Sequence, residues 1–143
     1  MHHTKITTTP LSLQAAFEFI ASVDHGGSTY FVGSIRQNNL GKKVLGVSYD
    51  VFEPLAENIF ATLCQQAKEK WGPLKIYITH FKGRLNVGEL AIVIAVSSPH
   101  RDEAFQTCRF LIEAIKHECP IWKQEHYEDG SSEWVKGHAL CQH

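Results

Sequence analysis

The 143-residue sequence predicts an α+β domain in which two main helices pack on a mostly antiparallel sheet. Two long segments carry apolar residues at helical spacing, and several short strand-like runs lie between clusters of turn residues. One run, 90–98, is apolar throughout. With 43% hydrophobic and 20% charged residues, the composition is that of an ordinary globular protein. The chain is therefore long enough to bury a core as one domain over 1–143.

The predicted elements follow the order α, β, β, α, β, β, α, β. In chain order they are a helix over 11–22, strands over 29–35 and 44–52, a helix over 54–71, strands over 75–81 and 90–98, a helix over 101–118 and a strand over 121–127. The termini, about 1–8 and 137–143, are expected to be loosely ordered.

The three helices are predicted from apolar spacing and from their boundary residues. The first ends near Gly26-Gly27, a good stop signal, and the second begins at Pro54 and ends at Gly72-Pro73. Pro120 closes the third. Each of these residues either fits the first turn of a helix or cannot continue one.

The strands are predicted from alternating or continuous apolar residues. The first two flank a polar turn at 37–41, so we expect them to pair antiparallel. Residues 82–89 read as a turn-rich connection. The apolar run 90–98 favours a central strand that is covered on both faces.

Charge and composition exclude several classes of protein. The formal net charge of −1 lacks the basic surplus of a nucleic-acid-binding protein. The N-terminal residues lack the apolar run of a signal peptide, and no segment approaches the roughly 20 apolar residues of a membrane span. None of the four cysteines forms a C-x-x-C pair, so we expect buried free thiols and a cytoplasmic location. Those cysteines are Cys64, Cys108, Cys119 and Cys141.

The first group of candidate site residues is Ser97-Ser98-Pro99-His100-Arg101, where the apolar strand meets the third helix. Because a cation opposes the dipole at a helix start, Arg101 makes sense if an anion binds there. His100 would add a donor or carry a proton. The alternative is that Arg101 simply pairs with Asp102 or Glu103.

The second group is Lys116 and Lys123, which flank His117 to Trp122. A lysine in the last turn of a helix is favourable without any function, which is the alternative for Lys116. Lys123 lies on a strand and shares a face with Ile121 and Glu125. Two converging ammonium groups would suit either acid–base chemistry or the stabilisation of negative charge on a reacting carbonyl.

Two further signals are weaker. Arg36 follows the predicted strand 29–35 and suits bidentate contact with phosphate or carboxylate, although a plain surface arginine fits equally well. His138, Cys141 and His143 resemble a metal-ligand set, but a frayed terminus explains them better.

Four runs of the chain resemble the large, catalytic subunit of molybdopterin synthase. They are FVGSIRQNNLGKKV from Phe31, VSYDVF from Val47, GRLNVGELAIVIAVSSPHRDEAF from Gly83 and IKHECPIWKQE from Ile115. The paired signature SSPHR-x3-F and K-x3-PIWK-x-E is specific, and the match covers roughly 29–135. The resemblance implies an α/β-hammerhead-like fold.

The resemblance also implies an activity: sulfur transfer from a thiocarboxylate to cyclic pyranopterin monophosphate, giving the dithiolene of molybdopterin. The thiocarboxylate ends the Gly-Gly tail of a small ubiquitin-like subunit, in a complex of two large and two small subunits. No metal or cofactor is implied for this step.

By its motifs, the resemblance assigns roles to individual residues. Lys116 and Lys123 match catalytic lysines, and Phe31 matches a wall of the pocket. The implied substrate-binding set contains the two lysines together with Ser34, Ile35, Arg36, His100, Arg101, Gln124 and Glu125.

Helix geometry adds a condition to this assignment. Fifteen residues separate Arg101 from Lys116, which in a helix is roughly 22 Å and too far for one small-molecule pocket. If both serve one site, two copies of the chain must build it. Two other functions remain open: another transferase acting on a phosphorylated heterocycle, and a non-catalytic dimeric module that docks a ubiquitin-like tail.

Overall fold

The computed structural model describes residues 1–135, which form three helices and nine strands. In chain order these are β1 (His2–Thr7), α1 (Leu13–Ile20), β2 (Gly27–Ser34), β3 (Asn38–Asn39), β4 (Lys42–Val51), α2 (Glu53–Trp71), β5 (Lys75–Phe81), β6 (Gly83–Asn86), β7 (Leu90–Ser98), α3 (Arg101–Glu118), β8 (Ile121–Tyr127) and β9 (Ser132–Val135). The α+β class and the two main helices, α2 and α3, are confirmed. The predicted cluster of His138, Cys141 and His143 lies outside the described residues.

The strands form two sheets. The first has the order β1-β5-β7-β2, in which only the β1–β5 pair is parallel. The second has the order β3-β4-β8-β9, with β6 also pairing with β4. Within the described residues, β2 is therefore an edge strand of the first sheet.

The predicted antiparallel pairing of 29–35 with 44–52 is wrong. β2 pairs with β7, whereas β4 pairs with β6 and β8 in the other sheet. The polar turn instead joins β3 to β4, with positive φ at Leu40 and Gly41, as tight two-residue hairpins require. The turn residues identify a hairpin, but they do not show that the strand before the turn is the two-residue β3 and not β2.

Four strands were not predicted: the short β3 and β9, and also β1 and β6. Residues 1–8 were expected to be loose, yet β1 pairs in parallel with β5 and buries Ile6. The connection 82–89 contains β6. The β1 sequence is mostly polar, so its pairing depends on a partner about 70 residues away and leaves no local pattern.

The core lies on both faces of the first sheet. Strand β7 is buried from Ala91 to Ser98, as predicted for a central strand. One face packs against α2 and α3 through Ile92, Ile94 and Val96. The other face packs against α1. These layers fix the position of α3, which carries Arg101 at its start and Lys116 in its last turn.

Cys64, Cys108 and Cys119 are free and buried, as predicted, whereas Cys141 is beyond the described range. Over residues 1–135, no helix is both long enough and apolar enough to cross a bilayer.

Candidate functional site

A pocket of about 140 Å³ opens where the end of α3 meets β2, β4 and β8. Its polar lining includes Ser34, Arg36, Tyr49, Lys116 and Lys123. Apolar side chains complete the walls: Phe31, Ala91, Ile92, Ile112, Ile115 and Ile121. The pocket therefore combines several cations with a largely apolar surface, which suits an anionic ligand that also carries apolar or planar parts.

Three separate elements deliver the cations. Arg36 follows the end of β2, Lys116 lies in the last turn of α3, and Lys123 lies on β8. The Cys119-Pro120 link between α3 and β8 reverses the chain, and the Pro120 carbonyl accepts a hydrogen bond of 3.1 Å from the Phe52 N–H. This short connection brings the two lysines to one pocket.

Glu125 fixes Lys123. The Lys123 Nζ lies 3.0 Å from Glu125 Oε1, and both side chains are almost fully buried. Glu125 Oε2 accepts hydrogen bonds from Asn39 Nδ2 at 2.7 Å and from the Tyr127 hydroxyl at 2.9 Å. Burial raises the pKa of Glu125, but the bonds from Asn39, Lys123 and Tyr127 outweigh it and hold that pKa below its ordinary value. The carboxylate therefore stays charged and holds the ammonium group in place.

Tyr49 and His80 form the inner side of the pocket. Tyr49 is directly opposite Lys123 in the β4–β8 ladder, so both side chains share a face. Its ring meets the His80 ring edge-on, with centroids 5.1 Å apart. Burial and the nearby Glu125 carboxylate raise the pKa of Tyr49 to about 12. Burial lowers the pKa of His80 to about 4. Both side chains are therefore neutral near pH 7.

His100 and Arg101 lie at the opposite end of α3 from this pocket. Both are exposed, and the start of β2 packs closely against them, because a Cβ on Gly27 would be 2.7 Å from Arg101 Cα. Across residues 1–135, Arg101 forms no ion pair with Asp102 or Glu103. The alternative explanation for Arg101, a local salt bridge, is thus not what the structure contains.

Two of the predicted substrate-binding residues, Ile35 and Gln124, do not line this pocket. Ile35 is buried in the core of the second sheet and lines only a smaller adjoining cleft. Gln124 lies on the opposite face of β8 from Lys123 and donates a 2.9 Å hydrogen bond to the Ser132 hydroxyl. One chain thus gathers Phe31, Ser34, Arg36, Lys116 and Lys123 at the pocket and places Ile35 and Glu125 in the adjoining cleft. It brings neither Gln124 nor the pair His100-Arg101 to either.

Sequence reasoning missed four polar residues at or behind the pocket: Asn39, Tyr49, His80 and Tyr127. Only His80 left a signal, as a polar residue in the apolar strand 75–81. The others belong to turns or strands whose neighbours are set by long-range pairing. In the described part of the chain, no group of three or more potential metal-ligating side chains comes together.

Comparisons with known proteins give a consistent result. The family model described as MoaE protein matches residues 6–118. The chain is 43% identical over 142 residues to the molybdopterin synthase catalytic subunit of Synechococcus elongatus, covering 99% of this chain and 86% of that protein.

Two solved structures are also similar. Molybdopterin synthase from Staphylococcus aureus has a TM-score of 0.87 and 35% identity, covering 91% of this chain and 94% of that one. A complex of subunits 1 and 2 of molybdopterin-converting factor from Helicobacter pylori contains a chain with a TM-score of 0.76. That chain is 23% identical, with 93% of this chain and 88% of that chain covered, and it shares the fold.

Proposed function

The chain belongs to the MoaE family of molybdopterin synthase catalytic subunits, and we propose that it transfers sulfur to cyclic pyranopterin monophosphate, forming the molybdopterin dithiolene. The sulfur donor is the C-terminal thiocarboxylate of a small ubiquitin-like subunit. The observation that carries the proposal is the convergence of Arg36, Lys116 and Lys123 on one pocket with apolar walls.

The chemistry requires two anions to meet. A thiocarboxylate and a substrate phosphate repel each other in water, and fixed cations offset that repulsion while they hold the reacting groups together. A pocket whose cations come from α3, from β8 and from the residues that follow β2 is already arranged for this task. The free energy needed to position the cations is therefore supplied when the chain folds, not during the reaction.

We assign different roles to the two catalytic lysines. Lys123 is tied to Glu125 at 3.0 Å and serves as a fixed positive charge. Lys116 has no ion-pair partner within residues 1–135, so it is the lysine that is able to exchange protons as sulfur adds to the substrate.

The site is composite, built by two copies of the chain. β2 begins beside Arg101 and ends beside the pocket at Ser34, and within residues 1–135 no strand pairs with its outer edge. If a two-fold axis crosses the middle of β2, the two strands run antiparallel and the start of one lies beside the end of the other. His100 and Arg101 of one subunit would then face the pocket of its partner.

The exposed apolar side chains along this edge support the same dimer. Tyr30 and Val32 on β2 are 40% and 36% exposed, and Phe105 on the adjacent turn of α3 is 60% exposed. Apolar surface of this kind at a sheet edge favours association with another chain. Two small subunits complete a 2+2 heterotetramer.

We further infer that residues 1–143 act as one domain in the cytoplasm, bind no nucleic acid and associate with no membrane. The three buried free thiols support a reducing compartment. The net charge of −1 supports the absence of a nucleic-acid partner.

The decisive experiment is incubation of the chain with thiocarboxylated small subunit and cyclic pyranopterin monophosphate, with product detected by mass. We expect dithiolene product from the wild type and none from Lys116→Ala, although the variant still binds the small subunit. Lys5→Ala, an exposed lysine on β1, is the matched control. Turnover without a protein sulfur donor would favour another transferase, and loss of affinity alone in Lys116→Ala would favour a docking module.

A further inference from the structure

His80 is a lone polar side chain in an apolar part of the first sheet. It shares a face of β5 with the buried residues Ile76 and Ile78. Directly across the sheet, its partners are Ile6 on one side and Ile92 on the other. His80 itself is only 5% exposed, yet its side chain lines the pocket. A polar group in such a position costs free energy unless it has hydrogen-bond partners.

One ring nitrogen of His80 has a partner and the other does not. Nδ1 lies 2.8 Å from the Phe81 carbonyl oxygen, which only accepts, so Nδ1 carries the proton. Since burial keeps the ring neutral, Nε2 carries a lone pair. Within residues 1–135, no group donates a hydrogen bond to Nε2. The Tyr49 ring packs edge-on against the imidazole and helps to hold its orientation.

The neighbouring polar groups make this acceptor unusual. Arg36, Lys116 and Lys123 only donate. Both oxygens of Glu125 are already occupied, one by Lys123 and the other by Asn39 and Tyr127. The pocket therefore presents several donors for an anion. Besides the hydroxyls of Ser34 and Tyr49, it presents one neutral ring nitrogen, His80 Nε2, that has no donor within residues 1–135. A ligand fits this pattern if it carries an N–H close to its anionic end.

We propose that His80 Nε2 accepts a hydrogen bond from the backbone N–H of the terminal glycine of the sulfur carrier. This inference rests on the proposed docking of a Gly-Gly tail in this pocket. In such a tail, one Cα atom separates the last amide N–H from the anionic group, so the cations and His80 bind adjacent parts of one residue. Because glycine has no side chain, its backbone is able to lie close to the apolar walls without a clash. His80 is thus a positioning residue that orients the thiocarboxylate.

The test combines a protein variant with a change in the tail. The carrier is prepared by semisynthesis with a carboxylate end and either glycine or N-methylglycine as its last residue, since N-methylation removes the amide N–H. Dissociation constants are measured for the wild type, His80→Phe and His80→Gln. Thr79→Val is the matched control, because Thr79 is buried on the same strand but faces away from the pocket.

We expect N-methylation to weaken binding to the wild type by about tenfold, and His80→Phe to weaken binding of the glycine tail by about the same factor. N-methylation should then cost little more in His80→Phe. His80→Gln, which retains an acceptor, and Thr79→Val should bind within about threefold of the wild type.

An equal loss on N-methylation in the wild type and in His80→Phe would show a steric effect and overturn the proposal. Unchanged binding of the N-methylated tail to the wild type would overturn it without any variant, even if His80→Phe does not fold. Failure of the glycine tail to bind the wild type would instead reject the docking step of the proposed function, and this inference with it.

Discussion

Glu125 stabilises the fold and the pocket together. The residue is 3% exposed, and its carboxylate joins Lys123 and Tyr127 of its own strand to Asn39 of β3. Hydrogen bonds to a buried charge contribute more than neutral ones, and removing a charge from such a group leaves its donors poorly satisfied. The network links β3 to β8 across the second sheet at the point where Lys123 enters the pocket.

We expect Glu125→Gln to lower the free energy of unfolding by about 2 kcal/mol at pH 7, measured by urea denaturation. Because the folded state lowers the pKa of Glu125 below its ordinary value of 4.5, this contribution is present above pH 4.5. It is lost as the pH falls through the lower folded pKa, so the gap between wild type and variant should narrow below pH 4.5. Glu128→Gln, which removes only an exposed pair with Lys43, should change stability by less than about 1 kcal/mol. A constant gap down to pH 3 would contradict the assignment.

Gly27 is required because the backbone of α3 at Arg101 lies too close to leave room for a side chain, not because of its own backbone conformation. A Cβ there would lie 2.7 Å from Arg101 Cα and 2.9 Å from its backbone nitrogen, so α3 or β2 would have to move. We expect Gly27→Ala to cost about 2 kcal/mol of stability, as other overpacked contacts do. The adjacent Gly26→Ala, whose Cβ would be 3.2 Å from the Pro99 oxygen, should cost less. Equal melting temperatures for the two variants would contradict this explanation.

At the scale of elements, α3 and β2 set the distance between the two halves of the site. α3 carries Arg101 at its start and Lys116 in its last turn, and β2 packs against the helix. Both elements are rigid, so one chain cannot bring the two ends together. The edge of β2 is the surface that would let a second chain do so.

We expect the double substitution Tyr30→Asp with Val32→Asp to dissociate the dimer, because like charges would face each other across the two-fold axis. Light scattering coupled to size exclusion should then give the mass of one chain in the absence of the small subunit, and activity should be lost. Leu45→Asp, which changes an exposed apolar residue of the other sheet, should leave both unchanged. A dimer that persists in the double variant would place the interface elsewhere.

Most of the elements were predictable, and their partners were not. The three helices and the strands β5, β7 and β8 follow from apolar spacing and from stop signals such as Gly72-Pro73. β1 and β6 were missed because their short, polar sequences become strands only by pairing with β5 and β4. The pairing of β2 was predicted wrongly for the same reason, since its partner β7 is about 60 residues away in the chain.

At the scale of the whole molecule, the proposed site is complete only if two chains each contribute residues to it. Lys116→Ala and Arg101→Ala should each be inactive alone. A mixed dimer of the two has one site that is intact, with Lys116 from one chain and Arg101 from the other.

Random mixing gives mixed dimers half of the time, so we expect about a quarter of the wild-type activity on co-expression. Co-expression of Lys116→Ala with Lys123→Ala is the control, because both changes affect the same half of the site and restore nothing. No recovery in the first mixture would reject the composite site.

The sequence by itself determined the α+β class, the span of α2 and α3, the buried strand β7 and the residue types suited to anionic ligands. These features depend on periodicity and local chemistry, which are read within one segment. The tertiary structure decided which strands pair, that Glu125 holds Lys123, and that Arg101 lies away from the pocket. It also decided that one ring nitrogen of His80 has no donor among residues 1–135. Such features arise from contacts between residues far apart in the chain, and no local pattern encodes them.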